Sequence, residues 1–255
     1  MIKRTFRILP SIGAAREVAL WREGILFWDD FLSCWHPMQI SPKRKEDYDA
    51  IIKRAEEYLS SRDASSLGTM LPPSETWRLY HEFRDSAAFL DIETDGLGPG
   101  CEVSVVGIHG PAGDKTLVSG IDLEPETINS SLKGASLLIT FNGSCFDLPV
   151  LRSSFPSLRL NIPHLDLRFA AIRANLKGGL KSIENQLGII RDEDIIDIDG
   201  AEAVKLWHRW KRGSEEALIT LMEYNRADTV NLKKVADRIC FTIEKKTLGG
   251  AGIEV

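Results

Sequence analysis

Five side chains in three short segments are the residues of this sequence best suited to catalysis or metal binding. They are Asp91 and Glu93, Asp147, and Tyr224 and Asp228. Carboxylate oxygens suit hard divalent ions such as Mg²⁺ and Mn²⁺. Two such ions, held about 4 Å apart, activate water and stabilise the leaving oxygen when a phosphodiester bond is cleaved. The residue types therefore predict metal-assisted hydrolysis, provided that the fold brings the three segments together.

The first acidic pair lies in a short apolar run that indicates a buried strand. Residues at i and i+2 on a strand point to one face, and two acids on a buried face are costly unless they are paired or bind metal. The spacing alone decides little, because the chain has 37 acidic residues and other such pairs lie in polar stretches. The apolar setting of Asp91 and Glu93 leaves a metal site and a solvated pair as alternatives.

The other three residues are expected on helices. Asp147 follows an apolar run and an Asn-Gly turn, where a carboxylate either caps the start of a helix or binds metal. Tyr224 and Asp228 share one face of a long helix and interrupt its apolar stripe. A surface aspartate with a tyrosine packed over it is the alternative. Beside a metal, the tyrosine hydroxyl can orient an attacking water.

The order of the predicted elements indicates an α/β protein. Three strands, then alternating helix and strand, then helices, predict a mixed sheet flanked by helices over residues 86–242. Residues 1–85 are predicted to form a mostly helical, Trp-rich extension, and residues 243–255 a flexible tail. We predict strands over 86–93, 102–109, 114–119, 136–141 and 160–167, the last broken by Pro163, and helices over 125–132, 146–155, 180–187, 201–211 and 215–239.

Three motifs in this order resemble those of the DEDD exonuclease superfamily. Phe89-Leu-Asp-Ile-Glu-Thr resembles its first motif, and Asn142-Gly-Ser-Cys-Phe-Asp resembles its second. Tyr224-Asn-Arg-Ala-Asp resembles its third motif in the tyrosine form, because the histidine form would need His where Glu223 stands. The chain is thus similar to the DEDDy branch. Two further phrases, at 162–167 and 178–184, resemble the YprB-like ribonuclease H-like proteins.

The resemblance implies a ribonuclease H-like fold and a metal-dependent 3′–5′ exonuclease with two Mg²⁺ or Mn²⁺ ions. Asp91 would bridge both ions. Glu93 and Asp228 would complete the ion that carries the nucleophilic water. Asp147 would support the second ion, and Tyr224 would position the water.

The resemblance also implies a substrate and the residues that meet it. The substrate would be single-stranded DNA or RNA, and the products would be nucleoside 5′-monophosphates. Asn142 and Thr94 would contact the substrate or orient the backbone beside it. Phe146 is either a core anchor or a wedge against a substrate base. Asp166 is either a further site acid or a strand-end residue with its hydrogen bonds satisfied.

The composition, net charge and cysteine pattern indicate which classes of protein this sequence fits. Hydrophobic residues make up 43% and charged residues 27%, which is typical of a globular protein with a core. The net charge of −5 excludes a broad basic footprint for nucleic acid, although an acidic metal site is itself negative until ions bind. The cysteines and histidines show no metal-ligand spacing, so we expect no zinc site. With no membrane-length apolar run and no signal-peptide pattern, we expect a cytoplasmic protein that does not enter a membrane.

The N-terminal region leaves more than one function open. Leu9-Pro-Ser-Ile-Gly13 resembles part of a helix-hairpin-helix, in which N–H groups at a helix start hold phosphate. Packing against the rest of the chain is the alternative. Two rivals to an active exonuclease also remain: a catalytically inactive nucleic-acid-binding module, and an interaction scaffold that uses the Trp-rich region. Metal binding and turnover would separate these three hypotheses.

Overall fold

The structure is a computed structural model that describes residues 1–37, 40–96, 98 and 100–253. Contacts divide the chain into two compact units. One contains Met1–Asp85 and the residues from Cys240 onward, and the other contains Ser86–Ile239.

The first unit is built from helices around an aromatic core. Trp21 and Trp28 are buried, and their indole N–H groups donate to the main-chain oxygens of Arg4 and Thr5 at 2.8 and 2.7 Å. Its α-helices are α1 (Ala14–Arg22), α2 (Trp28–Ser33), α3 (Pro42–Ser60), α4 (Ala64–Met70) and α5 (Tyr80–Phe83), with 3-10 helices at Ile2–Arg4, Pro73–Leu79 and Arg84–Ser86. This confirms the predicted helical N-terminal region. Residues 9–13, which resemble part of a helix-hairpin-helix, follow a single 3-10 turn rather than an α-helix.

The second unit is a mixed sheet flanked by helices. Within the described residues the sheet has five strands in the order β3-β2-β1-β4-β5. β1 pairs with β2 and β2 with β3 in antiparallel fashion, whereas β1–β4 and β4–β5 are parallel. The strands are β1 (Ala87–Thr94), β2 (Val103–Gly110), β3 (Gly113–Val118), β4 (Leu137–Thr140) and β5 (His164–Asp166). The helices are α6 (Pro125–Ser131), α7 (Asp147–Ser154), α8 (Leu167–Arg173), α9 (Leu180–Gln186), α10 (Gly200–Lys211) and α11 (Glu215–Gly249), the last of which belongs to the first unit from Cys240 onward.

Alternation along β1 places different chemistry on the two faces of the sheet. Ala88, Leu90 and Ile92 join one apolar cluster with residues of α6 and α7. On the other face, α10 and α11 pack over β2 and β3 in a second cluster that includes Tyr224. Because side chains on a strand alternate, Asp91 and Glu93 point to the face that α11 covers.

The structure corrects three predicted element bounds. The strand predicted over 160–167 is only β5, because Pro163 lacks the N–H that pairing needs and the apolar residues before it pack onto the core as a loop. Helix α8 was missed because its apolar start was assigned to that strand. Helix α11 continues past the predicted end at Ile239 to Gly249, since Ile243 and Leu248 extend its buried stripe. Part of the expected tail is therefore helical, and its last residues, Glu254 and Val255, lie outside the described residues.

Among the described residues, no helix combines the length and apolar character needed to cross a membrane.

Candidate metal centre

Two acidic side chains lie at the carboxyl end of β1, and α11 contributes a third beside them. β1 pairs with β4 only as far as Phe89, opposite Ile139, so Asp91 and Glu93 lie beyond that pairing. The carboxyl ends of strands are where open α/β sheets form ligand sites. One carboxylate oxygen each from Asp91, Glu93 and Asp228 lie within 4.8 Å of one another. We call these three residues the carboxylate cluster.

A buried amide contacts the cluster from α11. Asn225 Nδ2 donates to Asp91 Oδ2 at 3.0 Å and approaches its main-chain oxygen at 3.4 Å. Gly107 stands opposite Asp91 on β2 and makes room for this contact. A Cβ at Gly107 would lie 2.2 Å from Asn225 Oδ1 and 2.8 Å from Thr229 Cγ2. A glycine is therefore required at this position for α11 to approach the sheet so closely.

Asp147 lies next to the cluster at the first turn of α7. Its carboxyl group is buried, and the main-chain N–H groups of Asp147 and Ile92 favour its ionised form. Its Oδ1 atom is buried and accepts no hydrogen bond from the described residues. A buried carboxylate oxygen without a donor is costly, so this atom is a candidate ligand for a cation.

A buried arginine provides one positive charge beside the cluster. The Arg191 guanidinium forms an ion pair with Asp228 and a second with Glu184, with 2.6 Å between Nε and Oε2. Asn231 Nδ2 donates to the other oxygen of Glu184 at 3.0 Å. The side chains of Arg191 and Glu184 are only 4% and 1% exposed. The network therefore fixes Asp228 from the protein interior.

Tyr224 lies one helical turn before Asp228, and its hydroxyl opposes the rise in the pKa of that carboxyl group. Burial, followed by the charges of Asp228 and Glu93, raises the pKa of Tyr224 well above its ordinary value. The hydroxyl thus stays protonated and acts as a donor. Cations flank the ring, with Lys181 Nζ 5.4 Å and Arg191 Cζ 5.8 Å from its centroid.

Burial and mutual repulsion make the four carboxylates hard to ionise without a cation. Burial, then the charges of Asp228 and Glu93, raises the pKa of Asp91 well above its ordinary value. Burial and the Asp228 charge raise the pKa of Glu93 to about 8. Burial raises the pKa of Asp147 to about 7, although two N–H donors oppose the rise. Burial raises the pKa of Asp228 to about 6, and Arg191 limits that rise.

The carboxylates open into a cavity of about 750 Å³. Thr94, Asn142 and Phe146 also line it, so the structure brings together every residue that the sequence assigned to the site. Thr94 Oγ1 donates to the main-chain oxygen of Gly96 at 2.7 Å, while Phe146 also packs against the apolar core. Phe146 is therefore an anchor of the apolar core that also lines the cavity.

Asp166 organises the loop at one wall of this cavity. Its carboxylate accepts hydrogen bonds from the main-chain N–H groups of Asn142, Ser144 and Arg168, at 2.8, 3.0 and 3.0 Å. Asn142, held at φ +67°, in turn accepts a hydrogen bond from the Arg168 guanidinium. Asp166 is thus the strand-end residue with satisfied hydrogen bonds, and it does not belong to the carboxylate cluster.

Comparison with known proteins identifies the domain that contains this site. The family model of the RNase_H superfamily matches residues 88–240, which is more than half of the chain. The chain belongs to the RNase_H superfamily. No curated protein sequence matches it.

Two solved structures are similar to this RNase_H superfamily chain. One is the family B DNA polymerase from the hyperthermophilic archaeon Pyrobaculum calidifontis, with 15% identity and a TM-score of 0.50, covering 64% of this chain and 26% of that chain. The other is the Nibbler EXO domain of Aedes aegypti, with 15% identity and a TM-score of 0.44, covering 71% and 88%. The chain spans about a quarter of the polymerase. The superfamily match and the sheet confirm the predicted ribonuclease H-like fold.

The residues of this RNase_H superfamily site fit a hard divalent cation. The donor set consists of carboxylate oxygens, which such ions prefer. Within the described residues the buried Asp147 Oδ1 accepts no hydrogen bond, and a cation would supply the positive partner that this oxygen lacks. A cation would also favour the ionised forms of carboxylates whose pKa values burial has raised.

Sequence reasoning missed the supporting residues of the site. Asn225 was visible only as a polar residue in the apolar stripe of α11, and Gly107 only as a glycine within a strand, which can mark close backbone approach. Arg191 stands before a run of acidic residues, and nothing in the local sequence indicates that it is buried. Arg168 and Lys177, which line the cavity, also had no distinguishing signal.

Proposed function

We propose that this chain is a metal-dependent 3′–5′ exonuclease of the DEDDy type that hydrolyses phosphodiester bonds of single-stranded nucleic acid. The convergence of three carboxylates within 4.8 Å, at the floor of an open cavity in a ribonuclease H-like fold, is the observation that carries this proposal. Tyr224 and Asp147 border the same cavity. The sequence motifs that resemble the DEDDy branch and the YprB-like proteins support the finer assignment.

The cluster and Asp147 would together hold two divalent ions, Mg²⁺ or Mn²⁺. Asp91, Glu93 and Asp228 would hold the ions together with Asp147, whose Oδ1 accepts no hydrogen bond from the described residues. When bound, the ions supply activation of water and stabilisation of the leaving oxygen. Arg191 would hold the Asp228 carboxylate in place from the interior.

Tyr224 would position the attacking water rather than accept its proton. Its raised pKa keeps the hydroxyl protonated, so it can donate one hydrogen bond and accept another. Tyr224 and Asp228 line the same cavity one helical turn apart, so the Asp228 carboxylate can orient the other side of the same water. Asn142, Phe146 and Thr94 would border the terminal nucleotide, because all three line the cavity.

The test is degradation of single-stranded DNA and RNA labelled at the 5′ end, in Mn²⁺, Mg²⁺ or EDTA. We expect a ladder that shortens by one nucleotide at a time, that requires metal, and that disappears in Asp91→Asn. The 5′ label retained in the shortening ladder fixes the polarity of degradation, and release of nucleoside 5′-monophosphates, detected chromatographically, shows that the bond to the 3′ oxygen is the one cleaved. The sugar that supports the faster ladder identifies the substrate.

Failure of this test would favour the inactive binding module. In that case the Arg191–Asp228 ion pair would serve in place of a metal, and the protein would bind strands with no turnover in any ion. Calorimetric titration with Mn²⁺ separates the two functions. The exonuclease requires binding that Asp91→Asn abolishes, whereas the module requires none.

A further inference from the structure

Helix α8 presents a mixed basic and apolar surface beside the mouth of the cavity. Four positions on this helix are exposed, while Leu167, Ala170 and Ala171 are buried beneath them. Phe169 is 51% and Ile172 64% exposed. We call this surface the α8 face, and it consists of Arg168, Phe169, Ile172 and Arg173.

The α8 face is continuous with the cavity. Arg168 and Ile172, one helical turn apart, line both surfaces. Phe169 and Arg173 form the adjoining row on the same helix, also one turn apart. A path from the cavity floor outward therefore passes over Arg168 and Ile172 before it reaches Phe169.

A tight turn after α8 adds another cation to the rim. Lys177 is exposed and lines the cavity. Gly178 follows at φ +107°, and a Cβ there would lie 2.6 Å from Ser182 Oγ. Only glycine fits this turn, which fixes the backbone of Lys177 at the rim. The cavity thus has carboxylates at its floor and cations at its edge.

We propose that the α8 face, with Lys177, binds the upstream nucleotides of a single-stranded nucleic acid whose 3′ end enters the cavity. This inference rests on the proposed function and extends it by assigning the surface that holds the rest of the strand. Arginine and lysine contact backbone phosphates, and an exposed aromatic ring provides a platform on which a base can stack. Helix α8 contains no acidic residue that would repel the strand.

The arrangement also gives Asn142 an indirect role. Its Oδ1 atom already accepts a hydrogen bond from Arg168, so it orients the guanidinium at the rim. Asn142 is then a positioning residue for Arg168, and Arg168 is the group that touches the strand.

Equilibrium binding tests the surface without relying on catalysis. Fluorescence anisotropy would follow a 5′-labelled 20-nucleotide strand bound to the Asp91→Asn protein in EDTA. Phe169→Ala should weaken binding at least about fivefold, the lower range for removal of one base-stacking platform. The double variant Arg168→Gln/Lys177→Gln should also reduce the slope of log K against log salt, by about 0.7 for each phosphate that the protein no longer neutralises.

Matched surface variants control for general effects of charge and hydrophobicity. Lys115→Gln removes an exposed cation on β3, and Ile219→Ala removes an apolar side chain that is 58% exposed on α11. Neither residue lines the cavity among the described positions. Equal weakening of binding in these controls, or unchanged binding in Phe169→Ala, would overturn the proposal.

A substrate without upstream nucleotides separates this inference from the proposed function. In thymidine 5′-(p-nitrophenyl phosphate), p-nitrophenol stands in place of the upstream strand. In the catalytically intact protein, Phe169→Ala should raise KM for the 20-nucleotide strand at least about fivefold more than KM for this ester. Equal effects on both substrates would overturn the α8 proposal while leaving the exonuclease intact. Turnover of neither substrate by the wild-type protein would reject the exonuclease, and the anisotropy result would still decide the α8 face.

Discussion

The side-chain amide of Asn225 on α11 donates a hydrogen bond to the Asp91 carboxylate on β1, with 3.0 Å between Nδ2 and Oδ2. Gly107 makes this contact sterically possible, because a side chain at that position would occupy the space of the amide. The amide fixes one carboxylate oxygen while donating to its charged form. It is therefore a positioning residue for Asp91.

Asn225→Ala should weaken Mn²⁺ binding at least about tenfold, because a hydrogen bond to a charged group contributes about 1.5–3 kcal/mol. The measurement is calorimetric titration of the metal-free protein with Mn²⁺. Asn185→Ala, which removes an exposed amide from α9, is the matched control and should bind like the wild type. Unchanged affinity in Asn225→Ala would show that the amide supports packing alone.

Gly107→Ala tests the same contact from the sheet side. The added methyl group would meet Asn225 Oδ1 and Thr229 Cγ2, and overpacking of this kind costs about 1–3 kcal/mol. We expect a lower midpoint of urea unfolding together with weaker Mn²⁺ binding. Adding Asn225→Ala to this variant should recover part of the stability, because space is released, but none of the metal affinity.

The fold was easier to predict from the sequence than the residues that hold the carboxylates in place. Apolar runs ended by turn residues predicted β1 to β4 well, since buried strands have a strong local signature. The positions of the carboxylates could be predicted because the periodicity of a strand or a helix can be recognised within a few residues. Arg191 and Asn225 contribute through contacts between distant segments, and a local pattern cannot reveal which partner a polar side chain will meet. Helix α8 was missed for a local reason, because its apolar start was assigned to the preceding strand although Asp166 caps it by accepting a hydrogen bond from the Arg168 N–H.

Arg191→Met should destabilise the metal-free protein by about 3–5 kcal/mol, because it leaves the buried carboxylates of Glu184 and Asp228 without their cation. Urea unfolding in EDTA measures the decrease in stability. The double variant Arg191→Met/Glu184→Gln should be more stable than the single variant, since one uncompensated charge is removed.

Metal ions should rescue Arg191→Met more strongly than they stabilise the wild type. An ion bound at the cluster supplies positive charge to Asp228 that the variant lacks. The expected result is a larger rise in thermal midpoint with Mn²⁺ for the variant than for the wild type. An equal rise would indicate that Arg191 and the metal site are energetically independent.

The metal-free protein should lose stability as the pH rises from about 6 to about 8. The folded-state pKa values of Glu93 and Asp147 are raised to about 8 and about 7, above the values of about 4 that carboxyl groups have in an unfolded chain. Between these limits the folded state binds more protons than the unfolded state, so stability falls as pH increases. The decline ends once the folded groups are ionised.

Thermal unfolding at pH 6, 7 and 8.5, in EDTA and in Mn²⁺, measures this dependence. Saturating Mn²⁺ should reduce or reverse the decline, because metal binding favours the ionised carboxylates. Glu93→Gln should flatten the profile in EDTA, whereas Glu126→Gln, on the surface helix α6, should leave it unchanged. A thermal midpoint in EDTA that rises with pH over this range would contradict the assigned pKa directions.

Asp91, which belongs to the carboxylate cluster, and Asp166, which does not, should respond differently to neutralisation. Asp91→Asn removes a carboxyl group whose pKa is raised by burial and by its acidic neighbours. The metal-free variant should therefore be as stable as the wild type or more stable at pH 8, yet fail to bind Mn²⁺.

Asp166→Asn weakens three hydrogen bonds from main-chain N–H groups. It should therefore lower stability by about 1–3 kcal/mol while the cluster still binds Mn²⁺. Urea unfolding and Mn²⁺ titration on both variants provide the comparison. If Asp166→Asn abolished metal binding without a decrease in stability, Asp166 would have to be counted among the metal ligands.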